Sequence, residues 1–212
     1  MSRRILIVTA VQAEADAIGR PSGTFVVAGG IGRTNAAAAT TAAILSDGPF
    51  TWVLNAGVAG SLPNSNLSLG EIVVANACIY AEEGLQTPDG FQNMQEMGLS
   101  LGNFEGNEVP VDSWMLERLS NIGIAAPIAT VVTCSGSNAQ AKLVQERTGC
   151  LCEAMEGAAV VHAAKRVGAP AIEIRVISNT TGDRENQEWD FELALNVLNK
   201  AVDASIHALW SE

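Results

Sequence analysis

A series of short, predominantly apolar runs most constrains what this chain can become. Residues 5–8, 25–28, 52–56, 69–80, 128–133 and 171–177 are too short and too apolar for surface helices, and they suit strands buried on both faces of a largely parallel sheet. Helical patterns follow most of them, over residues 11–18, 36–45, 111–121 with Trp114, Leu116 and Leu119 towards the core, 139–147 and 189–209, the last with apolar spacing at Leu193, Val197, Val202, Ile206 and Leu209. Alternation of this kind predicts the α/β class. With 212 residues the chain is sized for one domain spanning 1–212.

In such a sheet, ligands gather at the carboxyl ends of the strands, so polar residues there are the first candidates for a site. Glu14 follows the first strand within a turn or two, where a solvated helix charge is the plain alternative. The run 171–177 carries Arg175 in its middle and passes into Ser178-Asn179-Thr180-Thr181-Gly182-Asp183. A guanidinium in a buried strand is costly, so Arg175 is expected to pair with a carboxylate. Glu156 stands alone among small residues, where a helix start would offer it polarised N–H groups. Between these lie Trp52 to Gly60, read as a strand entering a glycine turn, and Thr133-Cys134-Ser135-Gly136-Ser137-Asn138 ahead of a helix, where Ser137 serves equally as a helix cap.

Several function classes fall away. A formal charge of −11 argues against a nucleic-acid partner, since that affinity is carried by Lys and Arg on phosphates. No run of about 18 apolar residues is present, so no membrane span is predicted. The start Met1-Ser2-Arg3-Arg4 imitates a signal peptide, yet Gln12, Glu14 and Asp16 interrupt the apolar stretch too soon. Gly29-Gly30-Ile31-Gly32 lacks the third glycine of a dinucleotide fingerprint, with Asn35 in its place. No G-x-S-x-G elbow is present, and His162 and His207 have no matched acid and nucleophile. Cys78, Cys134, Cys150 and Cys152 read as buried free thiols in a cytoplasmic protein, and no metal is expected because no histidine cluster accompanies them. Residues 81–108 form a long segment of Gly, Gln, Asn and Glu. It either closes over a substrate, reaches a neighbouring subunit, or is plain mobile surface.

Met155-Glu156-Gly157-Ala158, Arg175-Val176-Ile177-Ser178-Asn179 and Thr9-Ala10-Val11-Gln12-Ala13-Glu14 together resemble the nucleoside phosphorylase and nucleosidase superfamily, and in detail its futalosine-hydrolysing members of the menaquinone pathway. The resemblance spans nearly the whole chain. It implies a three-layer α/β/α fold around a central mixed, twisted sheet, a homo-oligomer (dimer or larger), a small-molecule nucleoside substrate and no cofactor. It also implies that Glu14 activates water, Arg175 orients that water or Glu14, Glu156 holds the ribose hydroxyls and Met155 packs under the sugar. Ala59 and Gly60 would lie under the ribose, with Ser137 and Asn138 lining the base.

Phosphorylases of the superfamily hold phosphate with an Arg and a Ser where this chain has Asn55 and Val58, which favours water as nucleophile. Asn179 replaces the Asp of adenine-releasing nucleosidases, and its amide suits the O6/N7 edge of hypoxanthine. Asp183 is left either as an acid or as a turn cap, and Arg33 and Arg184 as unplaced cations for the benzoate end of the substrate. The alternatives are a methylthioadenosine/S-adenosylhomocysteine nucleosidase, which Asn179 opposes, and a non-catalytic nucleoside-binding protein.

Overall fold

The computed structural model describes residues 4–211; the charged start at Met1 to Arg3 lies outside it. The elements run β1 (Ile5–Thr9), α1 (Gln12–Ile18), β2 (Thr24–Ala28), α2 (Arg33–Asp47), β3 (Trp52–Ser61), β4 (Ile72–Tyr80), β5 (Gly84–Thr87), β6 (Gly90–Asn93) and β7 (Glu108–Pro110). Then come α3 (Ser113–Leu119), β8 (Ile124–Thr130), α4 (Asn138–Thr148), β9 (Cys152–Ala154), α5 (Gly157–Arg166), β10 (Ala171–Thr180) and α6 (Phe191–Trp210).

The sheet is mixed. β1 pairs in parallel with β2 and β3, β3 with β10, and β8 with β4 and β9, while β4–β10, β3–β9 and β4–β7 are antiparallel. Because β3 pairs with both β9 and β10, and β4 links β10 to β8, the five strands β3, β10, β4, β8 and β9 close a ring from which β1 and β2 extend. Three-residue β9 is the closing piece, and it leads directly into Glu156.

Helices cover both faces. Ala158, Val160, Val161 and Ala164 of α5 pack with Ala36 and Ala43 of α2 against Val53, Ala75, Ile128 and Ile177. On the opposite face Met115 and Leu119 of α3 and Leu198, Val202 and Leu209 of α6 pack against Leu54, Val74, Ile172 and Ile174. Burying a side chain of this size stabilises by roughly 1.5–3 kcal/mol. Strand residues therefore contribute alternately to two cores, which is why the runs read as continuously apolar.

Four expectations change. Residues 57–60 are not a glycine turn: β3 runs unbroken through Gly57 and Gly60 to Ser61, and both glycines are there to make room for neighbouring side chains. Residues 81–108 hold the β5–β6 hairpin, pinned where the Arg147 guanidinium lies 3.8 Å from the Phe91 ring centre. Trp114 faces solvent at 39% exposure and stacks on Trp52 at 5.3 Å instead of entering the core. Cys134 is exposed, whereas Cys78, Cys150 and Cys152 are buried. No helix among the described residues is long and apolar enough to cross a membrane.

Candidate active site

Glu14, Glu156 and Arg175, far apart in the chain, are drawn together beneath the carboxyl end of β3, at 2%, 4% and 1% exposure. Glu14 occupies the third position of α1, and its Oε2 accepts from the N–H groups of Ala10 and Val11 at 2.9 and 3.1 Å. Its Oε1 accepts from Val58 N–H at 3.0 Å. Arg175 Nη1 donates to the carbonyl of that same Val58 at 3.2 Å, so one residue of β3 ties the acid to the cation. Gly57 permits this meeting: a Cβ there would stand 2.5 Å from Arg175 Nη1 and 2.6 Å from Glu14 Oε1.

The remaining guanidinium nitrogens are fully engaged. Nε donates to Glu173 Oε1 at 2.7 Å, and Nη2 donates to Asn55 Oδ1 at 2.6 Å and Glu156 Oε2 at 3.3 Å. Asn55 in turn donates from Nδ2 to the carbonyl of Val8 at 2.8 Å. Burial alone would lower the Arg175 pKa, but the carboxylates of Glu173, Glu156 and Glu14 outweigh it and hold the value above the ordinary one. Burial raises the pKa of Glu173, with Arg175 opposing; its Oε2 accepts from the Cys78 thiol at 3.1 Å. Glu173 was not among the expected site residues. Its signal was the two-residue spacing that puts Glu173 and Arg175 on one face of β10.

Glu156 precedes α5 and takes Gly32 N–H at 2.9 Å on Oε1 and Met155 N–H at 3.3 Å on Oε2. Gly32, from the glycine segment after β2, thus supplies a backbone donor to the acid. Arg33 beside it is ion-paired with Glu83 and lies 4.0 Å from Glu82.

A second cluster sits three residues further along β3. Gly60 pairs with Glu153 of β9 on one side and with Asn179 of β10 on the other. The register of β10 slips at Ser178, a bulge that brings Asn179 opposite Gly60 and re-aims its side chain. Asn179 Nδ2 donates to the Thr180 carbonyl at 2.9 Å, and its Oδ1 accepts from Ser178 Oγ at 2.9 Å. Glu153 and Asn179 line a cavity of about 250 Å³ with Gly60, Ser135, Gln187 and Trp189. Arg184 stacks over Trp189 at 4.6 Å on the same rim.

Ser137 and Asn138 stand outside this lining. The Ser137 hydroxyl caps α4 by accepting from Gln140 N–H at 3.2 Å, and Asn138 Nδ2 donates to Asp183 Oδ2 at 2.6 Å. Asp183 also accepts from Asn138 N–H at 2.9 Å, clamping the two loops together. Ser135 of the same turn lines the cavity instead, with Glu153 and Gln187, neither of which was foreseen. The segment from Glu153 to Glu156, with half-buried Met155, links this cavity to the Arg175 network. Among the described residues no group of three or more His, Cys, Asp or Glu side chains is arranged to hold a metal ion.

A family profile described as the Phosphorylase superfamily matches residues 22–211. The futalosine hydrolase of Streptomyces coelicolor is 34% identical, over 93% of both chains, and that of Acidothermus cellulolyticus is 35% identical, over 99% of this chain and 93% of its own. In three dimensions the fold matches a 5'-methylthioadenosine/S-adenosylhomocysteine nucleosidase of Helicobacter pylori with a TM-score of 0.81, at 19% identity over 98% of this chain and 99% of the other. The chain belongs to the phosphorylase superfamily and, within it, to the futalosine hydrolase family.

Proposed function

We propose that this protein hydrolyses the N-ribosidic bond of futalosine, releasing hypoxanthine and dehypoxanthine futalosine, a step of menaquinone biosynthesis. The observation that carries the reading is the convergence of Glu14 and Glu156 on Arg175 with the Asn179 cavity adjoining. As the bond from the anomeric carbon to the purine nitrogen breaks, its electron pair leaves with the base, which takes up a proton. The ribosyl ring becomes cationic, and water bonds to its anomeric carbon and yields a proton to Glu14.

Glu14 is the general base, worth about 10²- to 10⁴-fold. Glu156 holds the ribose hydroxyls and favours the cationic ring through its charge, Met155 packs under the sugar, and Ala59 and Gly60 form the strand beneath. Arg175 fixes both acids in place. Asn179 faces the O6/N7 edge of the base, and Ser135 and Gln187 border it. Water, not phosphate, is the nucleophile. Asn55 and Val58 provide neither cation nor hydroxyl, and every nitrogen of Arg175 is already engaged.

The chain acts as a cytoplasmic homo-oligomer on a small nucleoside. Exposed apolar side chains such as Leu85 and Leu99 in the 81–108 segment support contact between copies, and light scattering on the eluting peak tests it. The activity test is incubation with futalosine, inosine, methylthioadenosine and adenosine, with and without phosphate, followed by assay of the freed base. Hypoxanthine released from futalosine at a phosphate-independent rate is the expected result. Phosphate-dependent turnover, or adenine release from methylthioadenosine as the fastest reaction, would overturn the reading.

A further inference from the structure

Three residues lie side by side across three neighbouring strands: Glu153 on β9, Gly60 on β3 and Asn179 on β10. Residues paired across strands project to the same face, so Glu153 and Asn179 flank Gly60 from opposite sides. Strands are about 4.8 Å apart, which separates the two backbones by roughly 9–10 Å. That is the scale of a purine ring bound edge to edge between two polar groups. Gly60 lets the Asn179 and Thr181 side chains close in over the strand, since a Cβ there would stand 2.8 Å from Thr181 Cγ2 and 3.0 Å from Asn179 Nδ2.

Glu153 is 4% exposed, and its carboxylate is gripped on both oxygens by one residue. Ser135 N–H donates to Oε1 and Ser135 Oγ donates to Oε2, each at 2.6 Å. Ser135 is itself held, because its carbonyl accepts from Gln187 Nε2 at 3.0 Å. A carboxylate oxygen keeps a second lone pair after accepting one bond, so a rigid acceptor still faces the cavity. Among the described residues it makes no ion pair: its two polar contacts are both donors from Ser135, and Arg184 on the cavity rim is turned to Trp189 and Gln187. A buried carboxylate without a counter-ion is costly to keep for packing alone.

We infer that Glu153 is the second base-reading residue, accepting the N1–H of a 6-oxopurine while Asn179 donates to the opposite edge. This rests on the nucleosidase reading above and adds to it a residue and an atom. A 6-oxopurine carries a hydrogen on N1, whereas adenine presents a lone pair there. A fixed acceptor at that position therefore rewards hypoxanthine and leaves adenine facing it lone pair to lone pair. Asn179, its amide held at both ends by Ser178 and Thr180, addresses the opposite edge of the base and leaves N1 to another residue. Glu153 takes N1, and so it supplies the selectivity there.

The test measures direct binding of free bases to the intact protein by calorimetry, independent of turnover, using hypoxanthine, 1-methylhypoxanthine and adenine. The native protein should prefer hypoxanthine over both others by about 10- to 100-fold, the worth of one hydrogen bond to a charged group. Glu153→Gln should narrow the hypoxanthine-to-adenine ratio by about 10-fold or more, since its amide can donate to adenine N1. Asn179→Ala should weaken hypoxanthine and leave the preference over 1-methylhypoxanthine in place.

If the native protein binds 1-methylhypoxanthine as well as hypoxanthine, binds no hypoxanthine, or keeps its base ratio in Glu153→Gln, the inference is wrong. Futalosine cleavage with those results would sink the Glu153 role alone. Selective hypoxanthine binding without cleavage would sink the hydrolase reading and keep Glu153.

Discussion

Gly57→Ala should disable the protein through a single methyl group. Gly57 has ordinary strand backbone, so alanine meets no conformational penalty and the whole effect is one of space. The new Cβ would lie 2.5 Å from Arg175 Nη1 and 2.6 Å from Glu14 Oε1, about 1 Å inside van der Waals contact. Both atoms end flexible side chains, but neither is free to swing. Glu14 is held by three backbone N–H groups, and Arg175 by Glu173, Asn55, Val58 and Glu156. The cheapest escape is to break the pair of bonds at Val58. Overpacking of this kind costs typically 1–3 kcal/mol, and a hydrogen bond to a charged group is worth about 1.5–3 kcal/mol. A total near 3 kcal/mol corresponds to a fall in Tm of about 6–12 °C for a chain of this size.

The displaced Glu14 would also lose its aim at the water, so kcat should fall by about 100-fold or more while the variant remains folded at 25 °C. Thermal unfolding followed by circular dichroism, with hypoxanthine release from futalosine on the same preparation, checks both. A Gly57→Ala protein that melts within 2 °C of the parent and turns over within threefold of it would show that Glu14 and Arg175 do not meet at Val58 as described.

Glu14→Gln should lower kcat by about 10²- to 10⁴-fold with KM changed little, because the amide keeps most of the shape and loses the base; steady-state kinetics separate the two. Asn179→Asp should raise adenine release from methylthioadenosine relative to hypoxanthine release from futalosine, read as the ratio of kcat/KM values. Burial raises the Glu153 pKa above its ordinary 4.5, with the two Ser135 bonds opposing. Its acceptor form is thus lost as pH falls through that raised value, and hypoxanthine binding should weaken on acidification while Glu153→Gln shows no such midpoint. The sign for stability is opposite: the protonated form suits the buried site, so this contribution is fully present below about 4.5 and is lost as pH rises through the folded value. Glu173→Gln should destabilise by about 3–5 kcal/mol, by taking a buried partner from Arg175, and should also cut kcat although Glu173 touches no substrate.

The sequence made the strands legible because burial on two faces leaves an unbroken apolar run, and it made Glu156 and Arg175 legible because charge is conspicuous in such surroundings. It did not make β3 legible past Gly57. Glycine usually marks a turn, and only the three-dimensional approach of Glu14 and Arg175 explains why a strand carries it here. Ring closure by β9 was equally hidden, since three residues carry no periodicity. That closure is what places Glu153 beside Gly60, so the cavity between Glu153 and Asn179 could not be read before the topology was known. The 178 bulge acts in the same way: Asn179 was visible as a polar residue at a strand end, but its partner was not.

The Arg175 network holds three carboxylates around one guanidinium, and the way they are held determines what they can do. Glu173 makes the closest ion pair with Arg175, at 2.7 Å, whereas Glu156 makes one contact at 3.3 Å. Glu14 and Glu156 are instead fixed by peptide N–H groups, from Ala10, Val11 and Val58 in one case and Gly32 and Met155 in the other. Dipoles orient a carboxylate without cancelling its charge, and so leave a field for a cation arriving later. A ribosyl ring that becomes positive about 4 Å from such a group gains roughly 4 kcal/mol at an effective dielectric of about 20, which is close to a thousandfold in rate. Were Glu173 absent, Arg175 would turn its charge on Glu156 and spend that field on itself. On the proposed reading, Glu173 thus serves catalysis from outside the reaction, by occupying the cation that would otherwise compete with the ribosyl ring for Glu156.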